Sequence, residues 1–194
     1  MDGHPFAAGD GFSLTIARRR AHAVDFRLVA PGYSEPVGPL LLERVLDAYP
    51  TLPDHACDTG GPTTFGAVIA TGAVDLGHLL EHLAIDLEVR AWRSASAAVP
   101  VFAGNTSWIE RERGVQRITL SYVTGQAAVT YEAMRQACRV VDAARLAGYP
   151  RTPRDCFPGD ALLPSDDGGG FPGPAFTVPA ITARIRRASA DPEF

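Results

Sequence analysis

The pentapeptide His78-Leu79-Leu80-Glu81-His82 places two imidazoles and a carboxylate at positions i, i+4 and i+3. On a helix those three side chains share one face. Neutral imidazoles suit zinc, and a carboxylate often completes the trio. Zinc hydrolysis needs three protein ligands and an open position for water. The ion draws the pKa of that water towards ~7, and a nearby carboxylate can take its proton and pass it to a leaving amine. In that reading His78 and His82 are ligands to Zn2+ and Glu81 is the general base. The third ligand must come from elsewhere, and Glu132, near the start of a second long helix, is the first choice. Glu88 is the second choice, because it lies further along the same helix. Arg135, one turn after Glu132, and Tyr131 are the candidates to steady a developing oxyanion, with Arg90 behind them.

Other residues carry weaker chemistry. Asp58-Thr59-Gly60 is the tripeptide of aspartic proteases, in a single copy and without the preceding apolar pair. His55 and Cys57 flank one residue and could bind a metal, although such a lone pair in a loop is usually structural. Cys138 falls among the packing positions of a helix and reads as a buried, inert thiol. The runs Arg18-Arg19-Arg20 and Arg184 to Arg187 read as solvated charge.

The site needs two helices and a sheet to hold it. Val74 to Trp92 is the strongest helical segment. Leu76, Leu79, Leu80, Leu83 and Leu87 make an apolar face for packing on a sheet. Val74, Ile85 and Val89 flank the His-Glu-His face, so that face reads as partly buried as well. Ala127 to Leu146 is the second long helix, and Pro39 to Tyr49 a shorter one with proline in its first turn. Phe12 to Arg18 and Ala23 to Ala30 alternate as strands joined across Arg19 to His22, and Val99 to Ile109 and Val115 to Val123 form a second strand pair. Residues 50 to 62 read as a loop, and Thr63 to Ala70 as a short helix.

These elements predict an α+β fold: an antiparallel sheet covered on one face by two long helices. One domain spans residues 1–147. Residues 148–194, dense in proline and glycine and containing Asp166-Asp167-Gly168-Gly169-Gly170, form an irregular C-terminal extension.

Composition bounds the partners. A net charge of -4 offers no basic footprint for nucleic acid and no strong attraction to a membrane surface. Three cysteines without paired spacing argue against a disulfide scaffold. No apolar run approaches the ~20 residues that span a bilayer, and the N-terminus lacks the pattern of a secretory signal. A cytoplasmic protein is the expectation.

The stretch Pro39 to Ala144 resembles the N-terminal domain of cyanophycin synthetases. The resemblance runs through Leu42-Glu43-Arg44-Val45-Leu46, Tyr49-Pro50-Thr51-Leu52 leading to His55-Ala56-Cys57, then the most specific run, Leu76 to Glu88, and finally Leu120-Ser121-Tyr122 and Val129-Thr130-Tyr131-Glu132-Ala133. Cyanophycin synthetases are multidomain ligases that use ATP to build a polymer of aspartate and arginine. The resemblance implies a domain that holds polymer and, in some members, carries a zinc site of the inverzincin type, with His-x-x-Glu-His and a distal glutamate. Carried over, His78 and His82 match the ligands, Glu81 the base and Glu132 the distal ligand. The ligase portions have no counterpart in this sequence.

The expected function is zinc-dependent hydrolysis of a peptide, isopeptide or small amide bond, with a peptide-like or amide substrate. The alternatives are a non-catalytic module that binds a peptide or polymer or serves a ligase, and a metal enzyme of non-hydrolytic type. A homodimer is compatible with a small peptidase-like domain completing its site with a second copy.

Overall fold

The computed structural model describes residues 5–145, apart from 10, 34, 59–60 and 96–98. The expected C-terminal extension, 148–194, lies outside the described residues. In chain order the elements are β1 (Ala7–Gly9), β2 (Phe12–Arg19), β3 (Ala23–Val29), α1 (Pro39–Ala48), a 3-10 turn at Leu52–Asp54, β4 (Ala56–Asp58), β5 (Pro62–Thr64), α2 (Phe65–Ala70), α3 (Leu76–Ala95), β6 (Gly104–Glu110), β7 (Val115–Ser121) and α4 (Ala127–Arg145).

Five strands form one antiparallel sheet in the order β1-β2-β3-β7-β6, so the N-terminal hairpin pairs with the later one through β3 and β7. Period-two alternation explains its two faces. Leu14, Val24, Phe26, Leu28, Ile118 and Leu120 point inward and are fully buried. Thr15, Arg27, Arg117 and Ser107, cross-strand neighbours on the other face, remain at least partly exposed. The α3 helix lies over β6 and β7 and packs beside α4, which reaches β1. The mixed α+β architecture is the one expected from the sequence.

Three local expectations change, and the first is that the strand expected from Val99 begins only at Gly104. The segment 50–62 is not plain loop: it contains the 3-10 turn and β4, which pairs with β5 at Cys57↔Thr63. The short helix begins at Phe65 rather than Thr63, because Thr64 has extended backbone and its hydroxyl accepts from the Ala67 N–H as the helix cap.

The inner face of the sheet is not uniformly apolar. Under α3 the inward row contains Gly104, Thr106 and Gln116, all buried. Gly77 of α3 donates its N–H to Gln116 Oε1 at 2.9 Å. A Cβ at Gly77 would lie 2.5 Å from that oxygen, so the glycine permits this close helix–sheet contact. A small and polar floor here accepts a polar side chain from the helix, which an aliphatic floor would not.

Candidate metal centre

Asp75 immediately precedes α3, and its carboxylate accepts the His78 backbone N–H at 2.9 Å. This cap satisfies a donor that the first helical turn leaves open. It also fixes the turn that carries the first histidine. From Val74 to Val89 every residue of the segment is buried. The polar face of α3 is therefore enclosed, as its aliphatic flanks imply.

The two histidines turn away from the sheet and meet Cys57 of β4. The distances are 3.3 Å from Cys57 Sγ to His78 Nε2, 3.4 Å from Sγ to His82 Nε2, and 3.1 Å between the two Nε2 atoms. Cys57, His78 and His82 form a group of potential metal ligands and are buried together. The size of the triangle is informative. With Zn–S of about 2.3 Å and Zn–N of about 2.05 Å, tetrahedral angles put ligand pairs roughly 3.3–3.6 Å apart. The observed edges lie within a few tenths of an ångström of those values, so the sulfur and the two nitrogens are close enough together to serve a single metal ion. Phe65 stacks on the His82 ring at 4.0 Å and meets His78 edge-on at 5.1 Å, forming an apolar wall.

Around the triangle lies a polar chain. His82 Nδ1 is 3.3 Å from His55 Nδ1. His55 Nε2 is 3.4 Å from Asp86 Oδ1. Thr51 donates its hydroxyl to the same oxygen at 2.7 Å, and Arg90 pairs with Asp86 Oδ2. Burial pushes the Asp86 carboxyl up, but hydrogen bonds from His55 and Thr51 and the Arg90 guanidinium outweigh it and hold the group below its ordinary range.

The residues singled out from sequence separate. Glu81 does not point with the histidines: its carboxylate accepts the Thr106 hydroxyl from β6, and its side chain packs on Gly104. The reason is angular. At ~100° per residue, i and i+4 differ by about 40° on one side of His78, whereas i+3 falls about 60° to the other. Glu132 lies outside the ligand group. It pairs instead with Arg135 and Arg139 along α4, at 3.5 and 3.4 Å. Tyr131 accepts from Arg19 Nε and sits against Phe6 and Phe26 over the N-terminal strands. Arg135 lies 4.4 Å above the Phe6 ring. Glu88 is buried and accepts the Thr130 hydroxyl from α4. Burial raises its carboxyl to about 8, partly offset by that hydrogen bond. Cys138 is buried in the core and its thiol is pushed up to about 12, as an inert packing residue should be.

The third donor, Cys57, was legible only as half of the weak His55-x-Cys57 pair. Alternate residues of an extended segment point to the same side. Beside a His-x-x-x-His helix, that spacing is the signal from which the fuller cluster could have been read.

Among the described residues, no helix is long and apolar enough to cross a membrane. Neither a curated protein nor a solved structure matches the chain. A family model does, that of the cyanophycin synthase-like N-terminal domain, over residues 37–145. The matched span starts just before α1, ends with α4 and holds Cys57, His78 and His82. As it also takes in more than half of the sequence, the chain belongs to the family of cyanophycin synthase-like N-terminal domains.

Proposed function

We propose that this domain is a zinc-dependent hydrolase of a peptide, isopeptide or small amide bond, with Cys57, His78 and His82 as its metal ligands. The observation that carries the reading is the triangle of one sulfur and two nitrogens, with edges of 3.1–3.4 Å. Catalytic zinc sites take three protein donors and leave the fourth position to water, and three donors are what Cys57, His78 and His82 would supply. A bound zinc ion supplies Lewis acidity and a water that ionises near neutral pH.

The chain's own residues divide the remaining work. Cys57 contributes a thiolate, which balances part of the ion's charge in a buried setting. His78 and His82 present neutral nitrogens from successive turns of α3. Glu81 is the general base of this reading, which requires its carboxylate to swing from the Thr106 hydroxyl, where it rests, towards the metal face. Phe65 limits water on the histidine side. Glu132, tied into ion pairs on α4, has no part in this ligand set.

The test pairs metal content with turnover. Wild type should contain close to one zinc per chain and cleave a compound from a panel of peptides and amides, with aspartyl-arginine compounds tried first. Glu81→Gln should keep the zinc and lose at least 10²-fold in kcat, the usual scale for a general base. Equal turnover in wild type and Glu81→Gln would refute the assigned base.

A second reading is a ligase-associated module in which the ion organises the fold or a binding surface. Burial favours it: Cys57, His78 and His82 are 3%, 1% and 0% exposed. The family match to a synthase-like N-terminal domain favours it too. Zinc retained without hydrolysis of any compound in the panel would decide for this module.

A further inference from the structure

The segment Thr51 to Cys57 runs along α3 as a ladder. Thr51 reaches Asp86, His55 reaches both Asp86 and His82, and Cys57 reaches His82 and His78. On the helix these partners are four residues apart, at 78, 82 and 86, and so form one row. The His55 carbonyl also accepts the Phe65 N–H at 2.8 Å, so the same residue anchors the wall that stacks on His82.

One proton arrangement is compatible with metal binding. If His82 gives its Nε2 lone pair to an ion, its ring proton is on Nδ1. The neighbour at 3.3 Å is His55 Nδ1, which must then accept. A neutral His55 with an acceptor at Nδ1 carries its proton on Nε2, and Nε2 faces Asp86 Oδ1 at 3.4 Å. Asp86, also held by Thr51 and Arg90, is the fixed end of the chain.

We propose that His55 and Asp86 are positioning residues: they set the tautomer and ring orientation of His82 so that its Nε2 faces Cys57 and His78. This rests on the metal-centre reading and deepens it. Neither residue touches the ion. Outer partners of this kind typically change metal affinity by 10–100-fold when removed. Only His55→Ala removes both the acceptor for His82 and the link to Asp86. His55→Asn keeps an acceptor near the former Nδ1 position and loses the link. Asp86→Asn keeps His55 and removes the anion.

The experiment is zinc affinity by chelator competition, beside the absorption spectrum of the cobalt-substituted protein, for wild type, these three variants and Cys57→Ser. Wild type should show a sulfur-to-cobalt charge-transfer band that Cys57→Ser loses. His55→Ala should keep that band, since Cys57 remains, but bind zinc 10–100-fold more weakly and shift the cobalt ligand-field bands. His55→Asn should recover part of the affinity, and Asp86→Asn should fall between wild type and His55→Ala. A merely structural role for His55 would lower the apo protein's thermal midpoint without moving the ligand-field bands. Unchanged affinity and bands in His55→Ala, with a normal Cys57→Ser control, overturn the positioning role and leave the metal centre standing. Should His55→Ala fail to fold, His55→Asn and Asp86→Asn decide the matter, and wild-type affinity in both overturns the proposal. No binding by wild type overturns the proposal and the metal-centre reading together.

Discussion

His78 Nε2 and His82 Nε2 lie 3.1 Å apart, and Cys57, 21 residues before His78, closes them into a triangle. Two bare imidazole nitrogens at this distance repel unless a proton or a cation lies between them. The α3 backbone sets their spacing, and β4 brings the sulfur that makes the group a three-donor site.

The ligand set can be tested by deletion. Cys57→Ala and His78→Ala should each lose zinc, read by plasma mass spectrometry on the purified protein, whereas Glu132→Gln should keep it. In wild type, chelation should lower the thermal midpoint, because a ligand of the folded state alone stabilises it by mass action. Zinc lost from Glu132→Gln and kept in Cys57→Ala would reinstate the glutamate as third ligand.

Gly104 and Glu81 are in close contact across the helix–sheet boundary. A Cβ at position 104 would lie 2.6 Å from Glu81 Cγ and Oε1, so Gly104→Ala must displace the carboxylate. In the hydrolytic reading the zinc content should stay at the wild-type level. Turnover should fall by roughly 10²-fold, the effect of misplacing a reacting group by about 1 Å. Wild-type kcat in Gly104→Ala would remove Glu81 from the reaction.

Glu88 imposes a pH dependence on stability. Its carboxyl rises from an ordinary value of 4.5 to about 8 in the folded chain, because burial disfavours the anion. The folded state thus holds a proton that the unfolded state has released. Stability is greatest below about pH 4.5 as far as this group is concerned, declines as pH rises through the window, and levels off above about 8. Glu88→Gln mimics the protonated form. It should be more stable than wild type at pH 7, by on the order of a few kcal/mol, with the difference closing towards pH 4.5. Urea denaturation at several pH values reads it, and a constant difference across that range would contradict the assignment.

Asp75 caps α3 at the turn that carries His78. Asp75→Ala should cost about 1 kcal/mol of stability, seen as a midpoint lower by several degrees in thermal unfolding of the metal-free protein. Asp75→Asn should recover most of the loss, since an amide oxygen can cap as well. Failure of the asparagine to rescue would indicate that the charge, rather than the cap, matters there.

Much of this protein is legible along the chain. The heptad-like leucines of α3, the alternation of β2, β3 and β7, the proline at the start of α1 and the two histidines one turn apart are local patterns. Their periods, 3.6 and 2, follow from backbone geometry alone. Those periods place α3 and α4 on an antiparallel sheet and put His78 and His82 side by side. They cannot say what faces them. Periodicity assigned Glu81 to the histidine face, but the choice between two neighbouring directions was made by β6, where Thr106 and Gly104 offer a hydroxyl and space. Glu132 had the right residue type and element, yet Arg135 and Arg139 on its own helix hold it. Cys57 and His55 looked like a lone pair in a loop until a 3-10 turn and a short hairpin folded that loop onto α3. A third ligand distant in sequence is a matter of chain return, and only tertiary packing decides where a return ends.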